Sequence, residues 1–341
     1  MTRRILVAAN LATYAGAGEI ADEFRRRPDH DVRFVVLRRD ESQSFWRRYD
    51  ATIWTDLDRA GRLEVRDFAA EADLTVVAGT PSLTVWAQIL RGLQDIRRRR
   101  GNDYVERKAR RLASHAARRA VALLITDSNL LYNKEQLNRI YGKIAPARIF
   151  AMPDLIPHVE TAPALPIWPA VPAALCASLA ETRPDRATPL LGHSPSMKER
   201  FDQKGTEFIL DVVKRNGLEI DLITGLAYEA ALERKSQVDI FIDQVSYQKY
   251  SAEWTGGIGK SGLEALACGC ALITSGELAD TAPHFPMPPV AMVDRDTFEP
   301  ALLRLIEEHA ALKARAAESR DWVEQCASPR AVVDFIARHS L

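Results

Sequence analysis

Six prolines between Pro153 and Pro172 (the others at 157, 163, 166 and 169) forbid a long helix or a central strand in that stretch. Each lacks an amide proton and pushes the residue before it away from the helical region. On either side the chain alternates short apolar runs with helical segments. Before the prolines, Ile5–Ala9, Val32–Leu37, Leu74–Ala78 and Ala122–Ile125 read as buried parallel strands. Helices are expected between them at Glu19–Arg27, Ser82–Arg97, Val105–Ala120 and Lys134–Tyr141. After the prolines, runs at Leu190–Gly192, Ile220–Ile223, Ile240–Ile242 and Leu272–Thr274 alternate with helical stretches at Thr206–Arg215, Tyr228–Lys235 and Gly262–Cys268. A short helix is expected at Ala173–Leu179, and Ser328-Pro329 reads as the cap and first turn of a final helix. Two β-α series predict an α/β fold of two Rossmann-like, doubly wound domains. The expected division is 1–152, a proline-rich linker at 153–187, a second domain at 188–325, and a terminal helix at 326–341. Ligands of such sheets sit beyond the carboxyl ends of the strands, so a cleft between the domains is the expected site.

The length of 341 residues suits two domains. No run approaches the roughly 20 apolar residues of a membrane span. The apolar stretch before Asn10 is too short for a signal-peptide core. Four cysteines without a C-x-x-C pair argue against a disulfide framework or a zinc site and favour a cytoplasmic location. Asp56-Leu-Asp58 and Asp294-Arg-Asp296 match a D-x-D metal motif but read as surface turns, and the histidines lack metal-ligand spacing. No metal or other cofactor is expected, and no nucleic-acid partner. The formal net charge is zero, yet residues 1–150 carry 28 basic and 19 acidic side chains, and the rest 18 and 27. Arg91–Arg119 alone holds 11 basic and 3 acidic residues. This asymmetry points to an anionic partner for the first half, which charge alone does not name.

The segment Trp254–Ser275 carries the most chemistry. Gly256, Gly257 and Gly259 form a loop without side chains just before a helix, where backbone amides and the helix dipole favour phosphate. Lys260 and Ser261 add a cation and a hydroxyl, and Glu264 lies within the first turns. A P-loop would need glycine where Trp254 stands and a strand directly before it, so that reading is weak. Gly16-Ala-Gly18-Glu-Ile-Ala21 matches a dinucleotide fingerprint, but the preceding strand ends too early, near Ala9.

The run Gly259-Lys-Ser-Gly-Leu-Glu264-Ala-Leu-Ala-Cys-Gly269, leading into Ala271–Ser275, resembles the signature of GT-B glycosyltransferases of the retaining family 4, or group 1, type. Upstream, His193-Ser-Pro-Ser196, Lys204-Gly205-Thr206 and Val238–Gln244 follow the family's order, as do Leu124–Ser128 and Arg148–Pro153 in the first half. The family's E-x7-E pair is incomplete here, because its first glutamate falls at Gly256; Glu253 stands three residues earlier.

The resemblance implies a metal-independent transferase that moves a sugar from a nucleotide-diphosphate donor to a glycan or lipid-linked acceptor. It implies Lys204 on the diphosphate and Glu264 on the ribose hydroxyls as the residues central to the reaction. Arg200 or Lys198 would supply a second cation. Ser194, Thr224, Gly257, Gly259, Lys260 and Ser261 would complete the donor site, with the base near Thr224–Tyr228. Asn10, Gly16 and Gly18 would face the acceptor cleft, the terminal helix at 326–341 would return to the first domain, and the basic first half would meet an anionic acceptor or, peripherally, an anionic membrane surface. Gly256 motivates one alternative, an inactive GT-B scaffold or binding subunit, and a GT-B sugar-nucleotide epimerase is a further one.

Overall fold

The computed structural model describes residues 2–10, 16–37, 49–79, 86, 114–115, 118–126, 134–143, 148–160, 163–195, 197–198, 201–202, 204–245, 256–276, 278, 281 and 283–341. The chain forms two compact units, Met1–Ala170 with Pro329–Leu341, and Val171–Ser328.

The first unit is built on β1 (Arg3–Ala9), β2 (His30–Val36), β3 (Thr52–Ile53), β4 (Leu74–Ala78), β5 (Ala120–Ile125), β6 (Arg148–Ala151) and β7 (Ala164–Pro166). They make a parallel sheet in the order β3-β2-β1-β4-β5-β6-β7, which reverses direction between β1 and β4. β4 is buried throughout and β1 from Ile5 onward, as their unbroken aliphatic sequences require. Among the described residues up to β7, the helices are α1 (Ala17–Arg25), α2 (Arg59–Glu71) and α3 (Lys134–Lys143). α2 was not read from the sequence, although its buried residues Val65, Phe68 and Ala69 recur at helical spacing. Its cap is Asp58, whose carboxylate accepts the Gly61 amide at 2.8 Å, which accounts for one D-x-D match.

The expected linker at 153–187 is corrected by the structure. Residues through Ala170 belong to the first unit, where β7 pairs with β6 and Ile167 and Trp168 are fully buried. Prolines are tolerated because β7 is an edge strand, where a missing amide leaves no ladder bond unmade. The expected helices Ser82–Arg97 and Val105–Ala120 fall largely outside the described residues, and with them most of the basic cluster.

The second unit contains α4 (Ala173–Ala180), β8 (Leu191–His193), the antiparallel pair β9 (Met197–Lys198) and β10 (Phe201–Asp202), α5 (Thr206–Arg215), β11 (Ile220–Leu222), α6 (Tyr228–Ser236), β12 (Ile240–Ile242), α7 (Lys260–Ala267), β13 (Ala271–Ser275), β14 (Val290–Val293), α8 (Arg295–Glu307) and α9 (Leu312–Cys326). Its parallel sheet runs β11-β8-β12-β13-β14, reversing between β8 and β12. Ile209, Val212 and Val213 recur at helical spacing on α5 and pack with Leu191, Ile240, Ile242 and Ile273. Asp294 closes a capping box with Thr297 at the start of α8, which accounts for the other D-x-D match.

The last helix, α10 (Pro329–Ser340), buries Val332, Val333, Phe335 and Ile336 within the first unit. The Phe335 ring meets Phe150 edge-on at 5.8 Å, and Asp334 pairs with Arg27 at 2.6 Å. Among the described residues no helix is long and apolar enough to cross a membrane.

Candidate functional site

The chemistry of the second unit gathers at the carboxyl ends of β8 and β12, the point where its strand order reverses. Asp243 follows β12 and has no exposed surface. Its Oδ1 accepts the Lys204 ammonium at 2.8 Å, and its Oδ2 accepts the Gly259 amide at 2.7 Å. Gln244 Nε2 and Thr274 Oγ1 both donate to the Gly257 carbonyl, at 2.5 and 2.7 Å. Because a trans peptide directs its carbonyl and amide oppositely, this aims the Ile258 N–H away from Gln244 and Thr274. Helix α7 then begins at Lys260, with amides in its first turn that lack a partner one turn back. Such a terminus attracts an anion. The Ser261 hydroxyl beside it is buried without a hydrogen-bond partner.

Glu264, in the second turn of α7, is 2% exposed. Its Oε1 accepts the Tyr228 phenol at 2.6 Å and its Oε2 accepts the Lys235 ammonium at 2.5 Å. Lys260 Nζ stands 3.9 Å from Oε1 and 5.0 Å from the centre of the Tyr228 ring. Burial alone would push the Glu264 carboxyl upward. The charges of Lys235 and Lys260, with the hydrogen bonds from Lys235 and Tyr228, outweigh it and hold the group below the ordinary carboxylate range.

The sequence-derived residues divide accordingly. Lys204 joins Gly259 through Asp243, while Lys260 and Glu264 meet around Tyr228. Ser194 donates to the Ile223 carbonyl at 3.0 Å, tying the loop after β8 to the exposed Thr224 segment. Arg200 lies outside the described residues, as does the side chain of Lys198. Three expectations change. The Gly259 amide is engaged by Asp243 and is not turned toward a ligand. The Glu264 carboxylate is covered rather than open. Gly16 and Gly18 are buried packing positions: a Cβ on Gly16 would lie 2.3 Å from the Ala170 carbonyl, and one on Gly18 would lie 2.5 Å from the Tyr49 ring. Asn10 is half-buried directly after β1.

His193 bridges elements of the second unit. Its ring nitrogens meet the Ile242 carbonyl at 2.7 Å and the Thr206 hydroxyl at 2.9 Å. Asp243, Lys235 and Tyr228 were not assigned roles from the sequence. Only Asp243 left a signal there, an acid directly after the buried run Ile240–Ile242.

Gly256 has a backbone φ of +111°, and a Cβ there would approach the Ser275 carbonyl to 2.7 Å. Facing it, Gly276 has a φ of +114°, and its Cβ would lie 2.4 Å from the Gly256 carbonyl carbon. The missing glutamate is therefore built into the backbone, since no side chain fits at 256 without moving two segments.

Among the described residues no three His, Cys, Asp or Glu side chains are grouped to hold a metal ion. A cavity of about 630 Å³, bordered by Arg183, Arg186, Asp239, Lys313 and Arg320, opens at the opposite, amino-terminal edge of the second sheet. The polar network just described lies away from it.

No protein-family model matches the sequence, and no curated protein matches it. Among solved structures the chain is similar to HepE of Anabaena in complex with UDP-glucose, at 13% identity over 98% of each chain with a TM-score of 0.59. It is similar to sucrose-phosphate synthase of Thermosynechococcus elongatus at 10% identity over 99% of this chain and 98% of that one, with a TM-score of 0.58. The UDP-GlcNAc 2-epimerase of Neisseria meningitidis, bound to UDP-GlcNAc, follows at 11% identity over 99% of each chain with a TM-score of 0.52. This likeness establishes the fold, two Rossmann-like units of GT-B-type architecture.

Proposed function

We propose that this chain is a glycosyltransferase whose second unit holds a nucleotide-diphosphate sugar and whose first unit meets a glycan or lipid-linked acceptor. The observation that carries the reading is the convergence, at one strand-order reversal, of the α7 amino terminus, the Lys204 ammonium and the partnerless Ser261 hydroxyl. Helix amides and a cation neutralise a leaving diphosphate, which is the charge that develops in transfer. Glu264 is the carboxylate for the ribose hydroxyls, and Ser194, Thr224, Gly257 and Lys260 complete the donor site. The fold shared with HepE, solved with UDP-glucose, supports the same assignment.

In the proposed reaction the acceptor oxygen bonds to the anomeric carbon as the bond from that carbon to the diphosphate breaks. The acceptor proton passes to the departing phosphate oxygen, with retention following the family-4 resemblance. The protein contributes position and charge and needs no metal. Asn10 lies at the carboxyl end of β1, where an acceptor would be received. The basic excess of residues 1–150 favours an anionic acceptor or peripheral contact with an anionic membrane on the cytoplasmic side. Liposome co-sedimentation at low and high salt tests that part: no binding to anionic vesicles at low salt removes it.

The fold is equally that of a UDP-GlcNAc 2-epimerase, so epimerisation is the second reading. A thermal-shift screen with UDP-, GDP-, ADP- and CMP-sugars, followed by product analysis with and without acceptor, separates them. Transfer to acceptor supports the proposal, and an isomerised donor without acceptor supports the epimerase. Binding without turnover indicates a scaffold, and no binding removes the donor site.

A further inference from the structure

Glu264 presents a difficulty for any ligand: at 2% exposure, with Tyr228 on one oxygen and Lys235 on the other, the carboxylate does not face open solvent. The two partners differ in kind. Lys235 is 4% exposed, is the next-to-last residue of α6, and among the described residues its ammonium pairs with Glu264. Tyr228 is the first residue of the same helix, is half-buried, and borders the exposed loop 224–227. One side of the carboxylate is thus anchored by a buried cation, and the other accepts the Tyr228 hydroxyl at the mouth, with the Lys260 ammonium 3.9 Å away.

We propose that Lys235 is a positioning residue that holds Glu264 as a fixed acceptor, and that the Tyr228 phenol is an internal donor which a ligand hydroxyl displaces from Glu264 Oε1. The inference rests on the donor site described above and adds its means of presentation. A buried carboxylate left without donors is costly, so the empty site needs a resident hydroxyl. A phenol at 2.6 Å supplies the same O–H donor chemistry as a sugar diol. Anchoring by Lys235 keeps Oε2 satisfied in both states, so only one hydrogen bond is exchanged when ligand enters. The groups acting on Glu264 are Tyr228 and Lys235 from α6 and Lys260 from its own helix. Lys235 touches no ligand in this scheme.

Calorimetric titration of UDP, GDP and ADP into the wild-type chain selects the tightest nucleotide, which is then carried through three variants together with its 2′,3′-dideoxy form. Tyr228→Phe removes the competing hydroxyl, so affinity for the ribonucleotide is expected to rise about threefold to tenfold, with no gain for the dideoxy form. Lys235→Met is expected to weaken the ribonucleotide at least about tenfold, the effect of losing a charge-assisted arrangement. Without the ammonium, burial raises the Glu264 pKa, so affinity in this variant should climb with pH where the wild type is flat. Lys235→Met/Glu264→Gln removes both buried charges; it should bind weakly at every pH and reads the effect even if the single variant fails to fold. Tyr228→Phe weakening both nucleotides alike would overturn the displacement, because the phenol would then contact the ligand directly. An affinity of Lys235→Met equal to wild type, or wild-type affinity in the double variant, would overturn the positioning role. Wild-type chain that binds none of the three nucleotides would remove the donor reading itself, a result distinct from variants that fail to shift.

Discussion

Lys204 and Asp243 form an ion pair at 2.8 Å in which the carboxylate is wholly enclosed and the ammonium side chain is 14% exposed. The same carboxylate holds the Gly259 amide, so one acid fixes both the cation and the start of the glycine loop. The asymmetry of burial sets an order of costs. Lys204→Met leaves a buried charge unpaired and is expected to destabilise the chain by about 3–5 kcal/mol. Asp243→Asn keeps an acceptor for Gly259 and leaves an ammonium that can turn to water, costing about 1–3 kcal/mol. Urea denaturation of both variants measures the order; equal costs, or the reverse, would show that the enclosed charge is not the deciding feature.

Gly256→Glu should not restore a missing catalytic group. The φ of +111° and the 2.7 Å approach to the Ser275 carbonyl demand a backbone shift. The strained backbone alone is worth about 1–3 kcal/mol. A lowered urea midpoint with no gain in donor binding or turnover is expected. A stable variant with enhanced turnover would refute this account of the loop.

Phe335→Ala is expected to cost about 3–5 kcal/mol through the cavity left against Phe150. Asp334→Ala, which removes a partly exposed partner of Arg27 and Arg330, should cost less than about 1 kcal/mol. Chemical denaturation followed by a probe in the first unit distinguishes the two.

His115 is 5% exposed, with Trp86 edge-on to its ring at 5.6 Å. Burial, and then the charges of Arg118 and Arg119, lower its pKa from 6.5 to about 4. The unfolded chain therefore binds the extra proton first, and stability falls as pH drops from about 6.5 toward about 4. His115→Gln should flatten that part of the pH–stability curve, and an unchanged slope would assign the acid sensitivity elsewhere.

The alternation of β-branched runs and amphipathic stretches was legible because buried parallel strands leave continuous aliphatic sequence. β1, β4, β12 and α5 all lie where that pattern put them. α2 was not read, although Val65, Phe68 and Ala69 recur at helical spacing; its buried stripe is three residues wide on a 13-residue helix rich in charged side chains. The glycine loop and the helix after it were readable from local chemistry alone, because helix starts and left-handed glycines are decided by neighbouring residues.

What the sequence by itself determined is thus the order of the elements, the place of the glycine-rich turn and the apolar face of the final helix. Tertiary structure decided which unit that helix joins, that β7 completes a sheet where a linker was expected, and that Gly16 and Gly18 pack rather than line an open surface. It also decided the partners of the ionisable groups. Asp243 lies 39 residues from Lys204, and Glu264 lies 29 from Lys235. Pairings at such separations leave no periodicity in the chain; they exist only once the fold brings the end of β12 to Lys204 and packs α6 against α7, and burial then makes each charge depend on the other.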